Sequence, residues 1–100
     1  MKLGILITTD RHLDHIVSIS RAATAKGHEL AIFAMNEGTR LLAFSEFLDL
    51  CKLDNTIMSL CSHSAAEFGV DTTGIAKEII IGSQINNAMM NHQSDKVIVL

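Results

Sequence analysis

The sequence predicts an α/β domain: a three-layer α/β/α sandwich built on a mainly parallel sheet of about five strands. Short apolar runs alternate along the chain with segments of helical periodicity. The composition is 48% hydrophobic and only 19% charged. Strands buried on both faces of a parallel sheet account for that balance, and so would an oligomer interface. The 100 residues fit a single domain spanning residues 1–100.

The first third of the chain predicts two parallel strands joined by a helix. Lys2–Thr8 and His28–Met35 are nearly continuous apolar runs, which is typical of buried strands. Between them, about Arg11–Lys26 has helical periodicity, and Thr9 or Asp10 is expected to cap its first turn. A crossover of this kind is almost always right-handed, so the two strands are expected to be parallel.

The middle of the chain predicts a helix, a strand and a second, shorter helix. Thr39–Leu53 is expected to be one helix with an apolar stripe. The stripe contains Leu41, Leu42, Phe44, Phe47, Leu48 and Cys51. Thr56–Cys61 follows as a partly β-branched strand. Ser64 and Glu67 then fit a capping box for a short helix that ends at Gly69.

The last quarter of the chain contains one ambiguous segment. Ile75–Ile81 fits either a short strand or the start of a helix, since periodicity cannot separate them. Ser83–His92 is predicted to be a helix, and Lys96–Leu100 a final strand. The expected apolar face of that helix contains Ile85, Ala88, Met89 and His92. Met58, Met89 and Met90 are interpreted as core or interface residues.

Cys61 is the residue most suited to chemistry, because it stands where the third strand meets the next helix. Reactive groups gather at the carboxyl ends of parallel strands, and helix-start N–H groups favour a thiolate. His63 can assist by hydrogen bonding to the thiolate or moving its proton. The alternatives are a buried structural cysteine and an exposed histidine of the first turn.

Two further loops are expected at the same edge of the sheet as Cys61. Thr9 and Asp10 follow the first strand, while Asn36 and Gly38 follow the second. These four residues are predicted to form the rim of a pocket around Cys61, although capping and turn chemistry would also explain them. Neither loop has a glycine-rich phosphate-binding pattern.

The overall charge and the lengths of the apolar runs indicate which partners and which location to expect. The net charge is −3 and the basic residues are scattered, so no nucleic-acid partner is expected. No run is long enough to span a membrane, and the expected location is the cytoplasm.

Cys51 is interpreted as core, and whether it pairs with Cys61 is left open. His12 and His15 are interpreted as surface residues rather than metal ligands.

The order of these motifs resembles the DsrE/DsrF-like family of small intracellular sulfur-relay proteins. The resemblance rests on a strand ending in Thr-Thr-Asp, the segments Gly27–Leu30 and Asn36–Gly38, a lone cysteine after the third strand, and a final strand at Lys96–Val99. It implies a DsrEFH-like α/β domain that forms trimers or hexamers. It also implies that Cys61 accepts a persulfide sulfur from a donor protein and passes it to an acceptor thiol.

Two functions therefore stand at this point. The first is a sulfur carrier or sulfurtransferase that acts through Cys61 and needs no metal or organic cofactor. Its partners would be persulfide donor and thiol acceptor proteins. The second is a non-catalytic module of the same fold that assembles with copies of itself or with another protein through an apolar surface.

Overall fold

The computed structural model describes residues 1–100 and contains one sheet of five parallel strands. The strands are β1 (Lys2–Ile7), β2 (Glu29–Ala34), β3 (Thr56–Cys61), β4 (Ile79–Gly82) and β5 (Lys96–Val99). Their order across the sheet is β4-β3-β2-β1-β5, and every neighbouring pair is parallel. The predicted parallel sheet is confirmed, and the ambiguous segment contributes β4.

Helices cover the two faces of the sheet unequally. The helices are α1 (Leu13–Ala25), α2 (Ser45–Leu48), α3 (Ser62–Glu67) and α4 (Gln84–Gln93), with two 3₁₀ helices at Asn36–Ala43 and Asp49–Lys52. All of them except α4 lie on the first face, and α4 lies alone on the second. No helix of the fold combines the length and the apolar character needed to cross a bilayer.

The direction of the chain explains why α4 lies apart from the other helices. From β1 to β4 each connection moves to the next strand on the same side, and the connection from β4 then returns across the sheet to β5. Connections between parallel strands are right-handed in nearly all proteins. Reversing the direction therefore places the connecting helix on the opposite face.

The larger core lies on the first face. Ile5, Ile32 and Leu60 point into it from neighbouring strands and meet Ile16 of α1 and Phe47 of α2, all almost completely buried. Burying side chains of this size is the main favourable term in folding, worth about 1.5–3 kcal/mol each. This core fixes the sheet on which the second face is built.

The second face has a smaller core, and part of it is open to solvent. Phe33 and Met90 pack with Ala31 and Cys61. Met90 lies over Gly4, where an added Cβ would come within 3.2 Å of the Met90 Cγ atom. Four apolar side chains beside this contact are 44–70% exposed; we call them the open strip. They are Ile57, Ile80, Ile85 and Met89. The prediction that Ile85 and Met89 belong to the apolar face of α4 is therefore wrong, because Met90 is the residue that the helix packs against the sheet.

The predicted single helix over Thr39–Leu53 is also wrong. The segment forms a 3₁₀ helix, then α2, then a second 3₁₀ helix. Phe44 separates the first two with extended backbone (φ −108°, ψ 125°), and its side chain is 48% exposed. Gly38 lies so close to β1 that an added Cβ would be 2.5 Å from the Ile7 carbonyl oxygen. Glycine is therefore required there, and its N–H donates to the Met35 carbonyl oxygen (2.9 Å) in the turn that begins the segment.

Two predicted helix caps are absent. Helix α1 begins at Leu13 with no side-chain cap, and Thr9 instead donates its backbone N–H to the Leu100 carbonyl oxygen. Helix α3 begins two residues before Ser64, so the predicted capping box with Glu67 does not form. A capping box is present at α4 instead. Ser83 Oγ accepts from the Ile85 N–H (3.3 Å), and Asn86 Oδ1 accepts from the Ser83 N–H (3.0 Å).

Replacing Gly38 by alanine is expected to lower the free energy of unfolding by about 2 kcal/mol, because the new methyl group meets backbone that cannot move aside. Gly82→Ala is the matched control. There the obstacle is the Asn86 side chain, which can rotate away and lose only its capping bond, at a cost of about 1 kcal/mol. Urea unfolding measures both variants, and a smaller loss for Gly38→Ala than for Gly82→Ala would contradict the packing argument.

Candidate functional site

A pocket of about 590 Å³ opens at the carboxyl ends of β3 and β4. Its walls come from three segments: Met35 and Asn36, Cys61–Ser64 with Glu67, and Ser83–Ile85. The chain leaves β3 towards the first face and leaves β4 towards the second. Adjacent strands whose connections diverge in this way leave a crevice between them, the usual ligand site of open α/β sheets.

Cys61 is located at the base of this pocket. It is the last residue of β3 and the N-cap of α3, with β-region backbone (φ −84°, ψ 114°). Its side chain belongs to the core of the second face and is only 4% exposed. The thiol therefore contacts apolar side chains on one side and the pocket on the other.

Two opposing effects act on the pKa of the Cys61 thiol: burial and nearby polar groups. Burial has the largest single effect on the pKa of the Cys61 thiol and raises it. Against it act the Ser64 hydroxyl, the Ser64 N–H, the Gln84 carboxamide and the His63 N–H, which together bring the pKa below its ordinary value. Because the two N–H groups belong to the first turn of α3, they also carry the positive end of the helix dipole.

His63 reaches the thiolate through its main chain rather than its imidazole. The imidazole is 87% exposed, and its Nε2 atom lies 3.5 Å from Glu67 Oε2 one turn later. The side chain still forms part of the pocket wall. Since the His63 N–H lowers the pKa of the Cys61 thiol from the backbone, a substitution that keeps the backbone in place keeps this effect.

Of the four predicted rim residues, the structure brings Asn36 to the pocket. Asn36 follows β2, which is the neighbour of β3. Thr9 and Asp10 follow β1, which is one strand further from β3 than β2 is. Asp10 Oδ2 instead lies 3.9 Å from Arg40 Nη1. Gly38 packs beneath the end of β1. These three residues do not line the pocket, because the strand order places β2 between β1 and β3.

The segment Ser83–Ile85 completes the pocket and was not foreseen from the sequence. Gln84 Nε2 donates to the Met35 sulfur (3.8 Å), and the Gln84 carboxamide also lowers the pKa of the Cys61 thiol. The only available signal was the chain position of these residues directly after an apolar run, and that run was itself ambiguous. Fixing β4 as a strand is what brings Gln84 to the carboxyl edge of the sheet.

Cys51 is separated from Cys61 by the sheet. It packs against the core of the first face, whereas Cys61 belongs to the second, and both cysteines are free. Burial, followed by the nearby Glu78 carboxylate, raises the pKa of the Cys51 thiol. The two cysteines therefore do not form a disulfide within one chain.

No metal centre is built into the fold. His12 and His15 are both exposed. No three or more histidine, cysteine or acidic side chains converge to hold an ion.

One solved structure supports the resemblance at the level of the fold. The crystal structure of the ychN protein from E. coli, a DsrE/DsrF-like protein, superimposes with a TM-score of 0.73 over 100% of both chains. This chain has the DsrE/DsrF-like fold. Sequence identity to ychN is 14%, so the likeness concerns architecture.

Two searches by sequence found no relative. No family model matches the chain. No curated protein matches it either.

The two thiols are expected to react in a fixed order as the pH rises. Because the pKa of Cys61 is lowered and that of Cys51 is raised, the thiolate of Cys61 forms first. Peptide-resolved alkylation by iodoacetamide, between about pH 6 and about pH 10, should give the lower midpoint for Cys61. In urea-unfolded protein the two midpoints should converge, and a folded-state midpoint for Cys51 at or below that of Cys61 would contradict the assignment.

Proposed function

We propose that this protein is a single-thiol sulfur carrier of the sulfurtransferase type. The observation that carries the proposal is the placement of Cys61, a thiol with a stabilised thiolate at the base of an open pocket. A reactive thiol needs this combination of donors and access. The DsrE/DsrF-like fold is consistent with the proposal.

The transfer consists of two thiol exchanges. The Cys61 thiolate attacks the outer sulfur of a donor persulfide; a new S–S bond forms, the donor's own S–S bond breaks, and the donor leaves as a thiolate. An acceptor thiolate then attacks the outer sulfur on Cys61, and Cys61 leaves as a thiolate. The sulfur changes carrier with no net oxidation, so the balance needs no cofactor.

The donor and the acceptor are proposed to be proteins. The pocket is open to solvent beside the open strip, and Ile85 belongs to both. Apolar surface next to a reactive group suits contact with another protein. The thiols are unpaired, and a reducing compartment such as the cytoplasm would keep them so.

Exposure to a persulfide donor is expected to add the mass of one sulfur atom to the protein, detected by intact-mass spectrometry. The Cys51→Ala variant should gain the same adduct, because its remaining thiol is Cys61. The Cys61→Ala variant should gain none, and reduction with dithiothreitol should remove the adduct from the wild type. Equal loading of Cys61→Ala and wild type would exclude Cys61 as the carrier.

The open strip favours a second role, assembly with copies of the same chain. Ile57 and Ile80 are 52% and 44% exposed on neighbouring strands, and Met89 of α4 beside them is 49% exposed. A small cavity of about 150 Å³ lies between these side chains. A trimer or hexamer would cover this surface, and such an assembly is compatible with a carrier or with a module that performs no chemistry.

Ile80→Glu is expected to reduce the assembly to monomers, since a carboxylate buried in an apolar interface costs several kcal/mol. Light scattering coupled to gel filtration measures the mass in solution. Phe44→Glu, an equally drastic change at an exposed side chain of the first face, is the control and should leave the assembly intact. A wild-type monomer, or an Ile80→Glu variant that still assembles, would remove the second role.

A further inference from the structure

Helix α4 carries a row of three amide side chains that leads to the pocket lined by Cys61. Asn91, Asn87 and Gln84 follow one another at spacings of four and three residues, so they lie on one side of the helix. Asn91 Nδ2 donates to Asn87 Oδ1 (2.7 Å) and to the Asn87 carbonyl oxygen (2.9 Å). Asn87 Nδ2 donates in turn to Gln84 Oε1 (3.1 Å). The row ends where Gln84 Nε2 faces the pocket.

These contacts determine which end of the Gln84 carboxamide faces the sulfur. With its oxygen occupied by Asn87, the Gln84 NH₂ group donates to the Met35 sulfur and faces the pocket that Cys61 lines. The reversed orientation would place the NH₂ group of Gln84 against that of Asn87. It would also turn the carboxamide oxygen towards the thiolate, so two favourable contacts would become repulsive.

We propose that Gln84 is a positioning residue for the Cys61 thiolate, and that Asn87 and Asn91 hold its carboxamide with the N–H donors towards the sulfur. The other reading of this row is an exposed polar face of the helix. That reading accounts for the polarity of the three residues, but it does not account for donors all directed towards the N-terminal end of α4 and ending at a thiol.

The role rests on the proposed carrier function and makes it more specific. Cys61 is a thiolate when it attacks the donor and again when it leaves to the acceptor. A hydrogen-bond donor that is already oriented towards the sulfur stabilises the Cys61 thiolate at both steps, because no group has to move first. Gln84 is the first residue of α4, whereas the other donors come from the start of α3. The thiolate therefore depends on two elements that meet across the crevice.

The test measures the pH profile of Cys61 alkylation by iodoacetamide, in a Cys51→Ala background so that one thiol reacts. Gln84→Met keeps the length of the side chain and removes its donors. Its profile should move to higher pH, and its rate near neutral pH should fall about fivefold to tenfold. Gln93→Met makes the same substitution at the far end of α4 and should leave the profile unchanged.

A double-mutant cycle tests whether Asn87 acts through Gln84. Asn87→Leu, close in shape and without the donor, should move the profile in the same direction by a smaller amount. In the Gln84→Met background it should have no further effect. An unchanged profile in Gln84→Met, or a full effect of Asn87→Leu in that background, would overturn the proposal.

Alkylation of the unloaded protein measures the Cys61 thiol itself, so this result does not depend on whether the protein acts as a carrier. A shifted profile in a protein that gains no sulfur adduct would support the positioning role and exclude the relay. If the alkylation profile of Gln84→Met is unshifted and the protein gains the sulfur adduct normally, the result would exclude the positioning role and support the relay.

Discussion

The handedness of connections between parallel strands determines where the Cys61 thiol meets solvent. Three successive connections move along the sheet in one direction and lie on one face. The return from β4 to β5 runs the other way, so a right-handed path takes α4 to the second face. Because the chain leaves β3 and β4 towards different faces, their ends separate and leave the pocket. The pocket wall that Ser83–Ile85 form opposite Cys61 depends on that divergence.

Within the pocket, two opposing effects decide the pKa of the Cys61 thiol: burial raises it, and nearby hydrogen-bond donors lower it. Burial opposes the anion, and it is the largest single effect. Four hydrogen-bond donors from two elements outweigh it together. At Cys51, burial and the nearby Glu78 carboxylate prevail, and the pKa of the thiol is raised. The difference between the two cysteines therefore comes from the polar groups near each sulfur rather than from the depth of burial alone.

The sequence was sufficient for the strands and for the position of Cys61, because apolar runs and a strand-to-helix joint are local signals. Strand order is not local. Without it, the residues after β1 were placed at the pocket, although β2 separates them from β3. The periodicity of Thr39–Leu53 did not reveal how closely Gly38, just before it, approaches the Ile7 carbonyl. Gln84 was missed because an exposed polar residue early in a helix resembles any surface residue until β4 is known to be a strand.

The central sheet also has a kinetic consequence for the proposed carrier. It keeps Cys51 and Cys61 on opposite faces, so a sulfur atom bound to Cys61 meets no second thiol of its own chain. Release is then second order: its rate scales with the concentration of an external thiol. A chain with a neighbouring resolving cysteine would discharge itself at a rate independent of any acceptor. The barrier formed by the sheet gives the loaded protein a lifetime that its partners control.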